Sequence, residues 1–329
     1  MRRNMLLLLA ATVSLSSASH ATDLADYKRP LDIPFDGVAP YSLQLATVGK
    51  MLFFDPRLSG ARNFTCASCH NPSFGFEAPV ETSVGAAGTA LGRQAPTVLN
   101  AAWVTPLFWD GRAEKLEDQA AGPITAAVEM NGEFHQIVSD LKDVPDYVAW
   151  FYEIFPGEGV TAANILTAIA TYERTVVSPW SPFDRWVDGD EDAVSASAKR
   201  GFELFTGKAK CAECHTGWNF TDNKFHDIGL NTEDIGRAAL DDEDPKALHA
   251  FKTPGLRNTL YRAPYMHNGQ TATMNDVLLH YISGGIDRPS RAEQIHPLDL
   301  NSQDVDDLVA FLETLTAGQQ DLALPTLPN

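Results

Sequence analysis

Three stretches of the chain carry apolar residues at helical intervals. In residues 163–177, Ile165, Ile169, Tyr172 and Val176 recur three or four positions apart, which predicts a helix with one buried face, stopped by Pro179 and Pro182. Residues 195–205 predict a second helix, with Phe202 and Phe205 on one side. Near the end of the chain, Val305, Leu308, Val309, Leu312 and Leu315 form an unbroken stripe. Ser302 is its expected N-cap, and Asp304, Asp306 and Asp307 stand near the positive end of the helix dipole. Between such segments lie long Gly- and Pro-containing stretches, 71–96, 217–247 and 284–298, a length at which loops in compact domains are usually functional or disordered. At the other end, Arg2 and Arg3 precede an apolar run from Met5 to Leu15 and then Ser19-His20-Ala21. That is the three-part pattern of an export signal, cleaved after Ala21, and the run is too short to span a bilayer.

Composition narrows the class. The chain has 329 residues, 44% hydrophobic and 21% charged, with 43 acidic and 25 basic residues for a net charge of −18. Such a balance excludes a nucleic-acid partner, and no later segment reads as a stable membrane insertion. About 308 residues remain after the signal, enough for roughly two domains. The charge-rich residues 188–192 mark the expected boundary, which gives domains at 22–190 and 191–329.

All four cysteines fall in two copies of one motif, Cys66-Ala-Ser-Cys69-His70 and Cys211-Ala-Glu-Cys214-His215. Cys-x-x-Cys-His is the pattern of covalent c-type haem attachment, in which two thiols add to the vinyl groups of one haem and the adjacent imidazole reaches the iron. A zinc site made from both pairs would need to close over the 141 residues between Cys69 and Cys211, far beyond zinc-ribbon spacers. Thioredoxin-like pairs would need a βαβ setting that neither flank supplies, and ordinary disulfides leave the two histidines unexplained. Function then turns on the sixth position of each iron: a His or Met closes it, and a vacancy admits peroxide. His135, His226, His249, His267, His280, His296, Met51, Met130, Met266 and Met274 are the available candidates.

Several segments together resemble the bacterial dihaem cytochrome c peroxidase and MauG family. They are Gly49-Lys-Met-Leu-Phe-Phe-Asp-Pro-Arg-Leu-Ser, both haem motifs, Ala95-Pro-Thr-Val-Leu-Asn, Phe108-Trp-Asp-Gly-Arg, Gly122-Pro-Ile to Met130, Ser181-Pro-Phe-Asp, Thr253-Pro-Gly-Leu-Arg-Asn and Pro264-Tyr-Met-His-Asn-Gly. The resemblance implies an all-α fold of two cytochrome c-like domains with long loops, exported to the periplasm. It implies a peroxidatic haem in the first domain and an electron-transfer haem in the second, with His70 and His215 as proximal ligands. Trp109 matches the family's inter-haem tryptophan, and Gln119, Pro123 and Glu129 match its distal-pocket positions. A carboxylate such as Glu129 suits peroxide cleavage, because one group within hydrogen-bond reach can move a proton from one oxygen to the other.

Three departures from the family's pattern are visible. Many members place a His after the first haem motif that blocks the iron until the other haem is reduced; here the matching stretch is Ser83-Val84-Gly85-Ala86, and Ala86 cannot ligate. Where many members use a Met at the second haem, Tyr281 stands fourteen residues beyond His267, a ligand pattern similar to that of MauG and MbnH. An anionic oxygen donor favours ferric and higher iron over ferrous. Finally, Gln94 replaces an Asn that helps hold an interdomain calcium ion with the backbone carbonyls here belonging to Arg262 and Pro264, so a Ca2+ is expected with an altered ligand.

The leading expectation is a MauG-like oxidase that takes hydrogen peroxide and draws electrons from a protein substrate. A true cytochrome c peroxidase with a small redox-protein donor and a non-enzymatic dihaem electron carrier are the alternatives.

Overall fold

The computed structural model describes residues 23–35, 41–241, 243–318 and 322–329, so the export signal expected at 1–21 lies outside the described residues. The fold is mainly helical. Its ten helices among the described residues are α1 (Leu43–Phe53), α2 (Cys66–Cys69), α3 (Leu116–Thr125), α4 (Phe134–Lys142), α5 (Pro145–Ile154), α6 (Ala162–Thr175), α7 (Pro182–Val187), α8 (Ala196–Thr206), α9 (Met274–Ser283) and α10 (Ser302–Thr314). Short 3-10 turns and one two-residue hairpin, β1 (Phe225–His226) against β2 (Phe251–Lys252), complete it. No helix among the described residues is long and apolar enough to cross a membrane.

The apolar periodicities lie where the core needs them. Ile165 and Ile169 of α6 are fully buried, with Tyr172 and Val176 close behind. Phe202 and Phe205 of α8 are buried too, and Ser195 caps the helix by accepting a hydrogen bond from the Ala198 N–H. In α10 the expectation needs correction. Asn301, not Ser302, is the N-cap, accepting from the Gln303 and Asp304 N–H groups. Its amide oxygen reaches two orphan donors, and Ser302 is already inside the helix. The buried stripe is Leu308, Phe311, Leu312 and Leu315, with Val305 and Val309 only partly covered.

The two halves of the chain repeat one plan, with α1, α2, α3 and α6 answered by α8, the second haem motif, α9 and α10. Where α1 crosses α6, a Cβ on Gly49 would lie 1.8 Å from the Ala168 carbonyl oxygen; where α8 crosses α10, a Cβ on Gly201 would lie 1.9 Å from that of Asp307. Each crossing therefore requires a glycine for the two backbones to touch. From residue 94 to residue 125 the correspondence keeps a constant offset of 158: cis-Pro106 answers cis-Pro264, the Leu107↔Ala113 bridge answers Tyr265↔Thr271, left-handed Asn100 answers Asn258, and α3 answers α9. The second core also gathers Tyr27 from the start of the chain and Phe183 and Trp186 from α7, in a cluster of edge-to-face and tilted rings with Phe202, Phe220 and Phe311.

Candidate active site

Both Cys-x-x-Cys-His motifs present the same local device. Each histidine N–H of the backbone closes a turn onto the first cysteine's carbonyl, His70 on Cys66 and His215 on Cys211, at 2.9 Å in both. Each imidazole then meets a carbonyl a few residues on: His70 Nδ1 donates to Phe76 O at 3.2 Å, and His215 Nδ1 donates to Phe220 O at 2.9 Å. Phe76 and Phe220 both have left-handed backbones, φ 58° and 55°, which is uncommon for a bulky residue and turns the carbonyl back on the ring. An Nδ1 committed in this way leaves Nε2 as the lone-pair nitrogen, the tautomer a metal ligand needs. Burial holds both imidazoles below the usual histidine range, so they are neutral. Burial also raises the Cys66, Cys69 and Cys211 thiols, Cys211 to about 12, which disfavours a resident thiolate–metal bond. Cys66 packs against the cluster around Phe53 and Cys211 against the cluster around Phe202, so the two pairs cannot share one zinc ion. The donor set in each half fits a covalently attached haem.

Around the second motif a large, mostly apolar cavity is lined by Cys211, Cys214, His215, Tyr281, Met266 and Met274. Burial and the neighbouring Cys211 and Cys214 sulfurs push the Tyr281 hydroxyl above the usual phenol range. His280, one residue earlier, is turned away: its Nε2 donates to the Ile228 carbonyl at 2.9 Å. His226 is engaged by Asp222 at 2.8 Å, His249 by the Asp234 carbonyl, and His135 is on the surface beside Glu133. Met51 and Met130 belong to the first core.

Gln119 and Pro123 lie one turn apart on α3, and the chain leaves that helix through a turn that reaches Glu129. Glu129 is partly buried, and its carboxylate is near enough to Cys69 to raise that thiol. Desolvation raises the Glu129 carboxyl itself, opposed by Arg112. Ala86 is held beside it, its N–H donating to the Glu129 carbonyl at 2.7 Å. The internal repeat adds what the sequence alone did not reveal. Pro123 is the eighth residue of α3 and Tyr281 the eighth of α9, so the two occupy equivalent places in the repeat.

Trp109 sits where the halves meet. Its indole Nε1 donates to the Gln94 carbonyl at 2.9 Å, and its ring stands edge-on to His267, centroids 6.4 Å apart. Two reciprocal backbone hydrogen bonds of 2.8 Å frame the pair, Gln94 N–H to His267 O and Lys252 N–H to Trp109 O. By the 158-residue offset these are the same bond made from each half to the other. His267 stacks on Phe251 at 3.6 Å, and burial takes it down to about 4, so it is neutral beside the indole. Arg93 ties the halves further, bonding Asp110 and Asp234 at 2.7 Å each.

The calcium shell implied by the resemblance does not fit this junction. Gln94 turns its amide nitrogen to the Pro264 carbonyl, donating at 2.5 Å. An oxygen at that place would press on the carbonyl oxygen well inside contact distance, so one of the three expected ligands is spent on another. Arg262 meanwhile brings its own charge into the junction, donating to Glu77 at 3.0 Å and to the Gly255 carbonyl at 2.5 Å. The extra methylene of Gln94 is what lets its amide reach Pro264 directly.

Residues 44–192 match a family described as di-haem cytochrome c peroxidase, and residues 198–316 match cytochrome c. The methylamine utilization protein MauG of Methylorubrum extorquens is 46% identical over 321 residues, covering 97% of this chain and 91% of that one. MauG of Methylophilus methylotrophus is 40% identical and covers 98% of both chains. Among solved structures, a MauG-like protein associated with microbial copper homeostasis superposes with a TM-score of 0.82 at 29% identity, covering 94% of this chain and 96% of that one.

Proposed function

The chain belongs to the family of MauG and the di-haem cytochrome c peroxidases, and from that membership, which makes it an oxidoreductase with two c-type haems, we propose a division of labour between its halves. The half tethered through Cys66 and Cys69 takes hydrogen peroxide; the half tethered through Cys211 and Cys214 draws electrons from a protein substrate. The observation that carries this reading is the pairing of Pro123 with Tyr281. The two residues answer each other in the repeat, yet one offers a phenol oxygen and the other no donor at all.

The bound haems supply iron that reacts with peroxide and passes single electrons. The protein does the rest. Glu129 takes a proton from one peroxide oxygen and returns it to the other, which departs as water. Gln119 orients the incoming molecule, and Pro123 with Ala86 keeps the first coordination face free. Trp109, clamped to both halves through its carbonyl and its Nε1, is the relay between them. Residues 1–21, read as an export signal, agree with a periplasmic site of action.

Tyr281→Phe tests the closing ligand. The expected result is a ferric second haem that turns high-spin, seen in its absorption and resonance spectra, with the first haem unchanged. Met266→Leu and Met274→Leu, which line the same cavity, should leave that spectrum as it is. An unaltered spectrum in the Tyr281 variant would rule out the assignment.

The net charge of −18 favours one second reading, a cytochrome c peroxidase fed by a basic carrier. Fast, saturable turnover with reduced cytochrome c, weakened by salt, would select it over protein modification.

Because the junction is closed by Gln94 and by the Glu77–Arg262 pair, no calcium is assigned to it. EDTA treatment is expected to shift unfolding stability by less than about 0.5 kcal/mol. A chain that holds one equivalent of calcium through dialysis and loses stability on chelation contradicts this.

A further inference from the structure

Three arginines near the junction come with their own anions: Arg93 has Asp110 and Asp234, Arg262 has Glu77, and Arg257 has Asp184 at 2.8 Å. Arg237 is held by the Asp110 and Gly111 carbonyls. Lys252 has neither. It lies in β2 on the wall shared by the cavity of the second motif and a smaller cavity that reaches Phe108 and Trp109. Its backbone is fixed by pairing with Phe225 and by the N–H donated to Trp109 O. Its ammonium has no hydrogen-bond or ion-pair partner among the described residues, and burial alone acts on it, pulling it down to about 8. At neutral pH it therefore still carries its charge. The nearby carboxylates, Glu77 and Asp110, are already engaged by arginines.

A partly buried ammonium with no counter-ion is unfavourable, and the cost falls away when an anion arrives with a ligand. The ligand of this cavity is a haem, and a haem brings two propionate carboxylates. We propose that Lys252 holds a propionate of the haem tethered by Cys211 and Cys214, and that this pairing sets the reduction potential of that haem beside Trp109. The inference rests on the reading of the second motif as a haem site.

The sign follows from charge. Without the ammonium, an uncompensated carboxylate favours the ferric state, so the potential falls. One unit charge at roughly 10 Å in a medium of effective dielectric about 20 changes the ferrous-to-ferric ratio by about tenfold. The test is a spectroelectrochemical titration of the haem-loaded wild type, Lys252→Gln and Lys252→Arg, with haem content by pyridine haemochrome. The expected result is two haems in each, one of the two reduction waves displaced downward in Lys252→Gln, the other wave in place, and Lys252→Arg close to wild type. The propionate bending band in the resonance Raman spectrum should move with the displaced wave. Lys252→Met serves the same comparison if the Gln variant fails to assemble. Waves that stay put, that move together, or that move equally with Arg overturn the proposal. Neither measurement reads the peroxide reaction, so failure here leaves the role of Glu129 to its own test.

Discussion

Glu129→Gln is expected to slow the reaction of the fully oxidised protein with hydrogen peroxide by about two to four orders of magnitude, the range a positioned general acid–base group contributes. The substitution keeps the size and the hydrogen-bonding reach of the side chain but removes the oxygen that accepts a proton. The Ala86 N–H bonds the Glu129 backbone carbonyl, so the loop that keeps the distal side open should be undisturbed. Stopped-flow mixing with peroxide reads the rate, and an unchanged ferric spectrum confirms that both haems are in place. The pH profile gives a second handle. Burial lifts the Glu129 carboxyl above the usual carboxylate range, against the pull of Arg112. The base must be ionised to take the first proton, so the wild-type rate should climb with pH through that raised value and level off above it. Arg112→Ala should move the climb to higher pH, and Glu129→Gln should erase it. A variant within threefold of wild type would remove Glu129 from the chemistry.

Much of the molecule could be read from the order of its residues, and the limits of that reading have physical causes. The haem motifs announce themselves because covalent attachment demands fixed spacing. The helices around Ile165, Phe202 and Leu308 show because each presents one continuous apolar stripe to a core. The helices at 116–125 and 274–283 were harder to see: α3 has a proline at position 123, and α9 has only Leu278 fully buried. Phe311 was missed as the centre of the second core, because Val305 and Val309 complete a plausible stripe without it. Nor could sequence separation reveal that Gln94 and Lys252 exchange backbone hydrogen bonds with His267 and Trp109 across the junction. That symmetry depends on the 158-residue repeat, which the backbone marks with cis-prolines, left-handed residues, matching bridges and matching helices, while few side chains are shared between the copies. The junction departs from the expected calcium shell for a similar reason. Gln in place of Asn is conservative as chemistry, but one methylene decides whether the amide meets an ion or the Pro264 carbonyl.

The repeat also makes the second large prediction, one of stability. Gly201→Ala is expected to cost about 3–5 kcal/mol, well above an ordinary surface change, because its Cβ would sit 1.9 Å from Asp307 O and 2.7 Å from the Phe311 Cβ. Neither neighbour is the free end of a flexible chain. Relief requires α8 and α10 to move apart, and Phe311 of α10 meets Phe202 and Phe205 of α8 across that crossing with centroids 5.4 and 5.0 Å away. Separation would also loosen the Arg200 and Ser197 hydrogen bonds to Asp307, of which the Arg200 pair measures 2.7 Å. Phe205 stands 6.5 Å from the His215 ring, so the damage should reach the second haem site and lower its haem content. Gly92→Ala is the control, since a Cβ there meets nothing within 4 Å, and it should fall within about 0.5 kcal/mol of wild type. Thermal unfolding with haem quantification reads both variants. A Gly201 variant as stable as the Gly92 control would mean that the α8–α10 crossing is looser than its geometry.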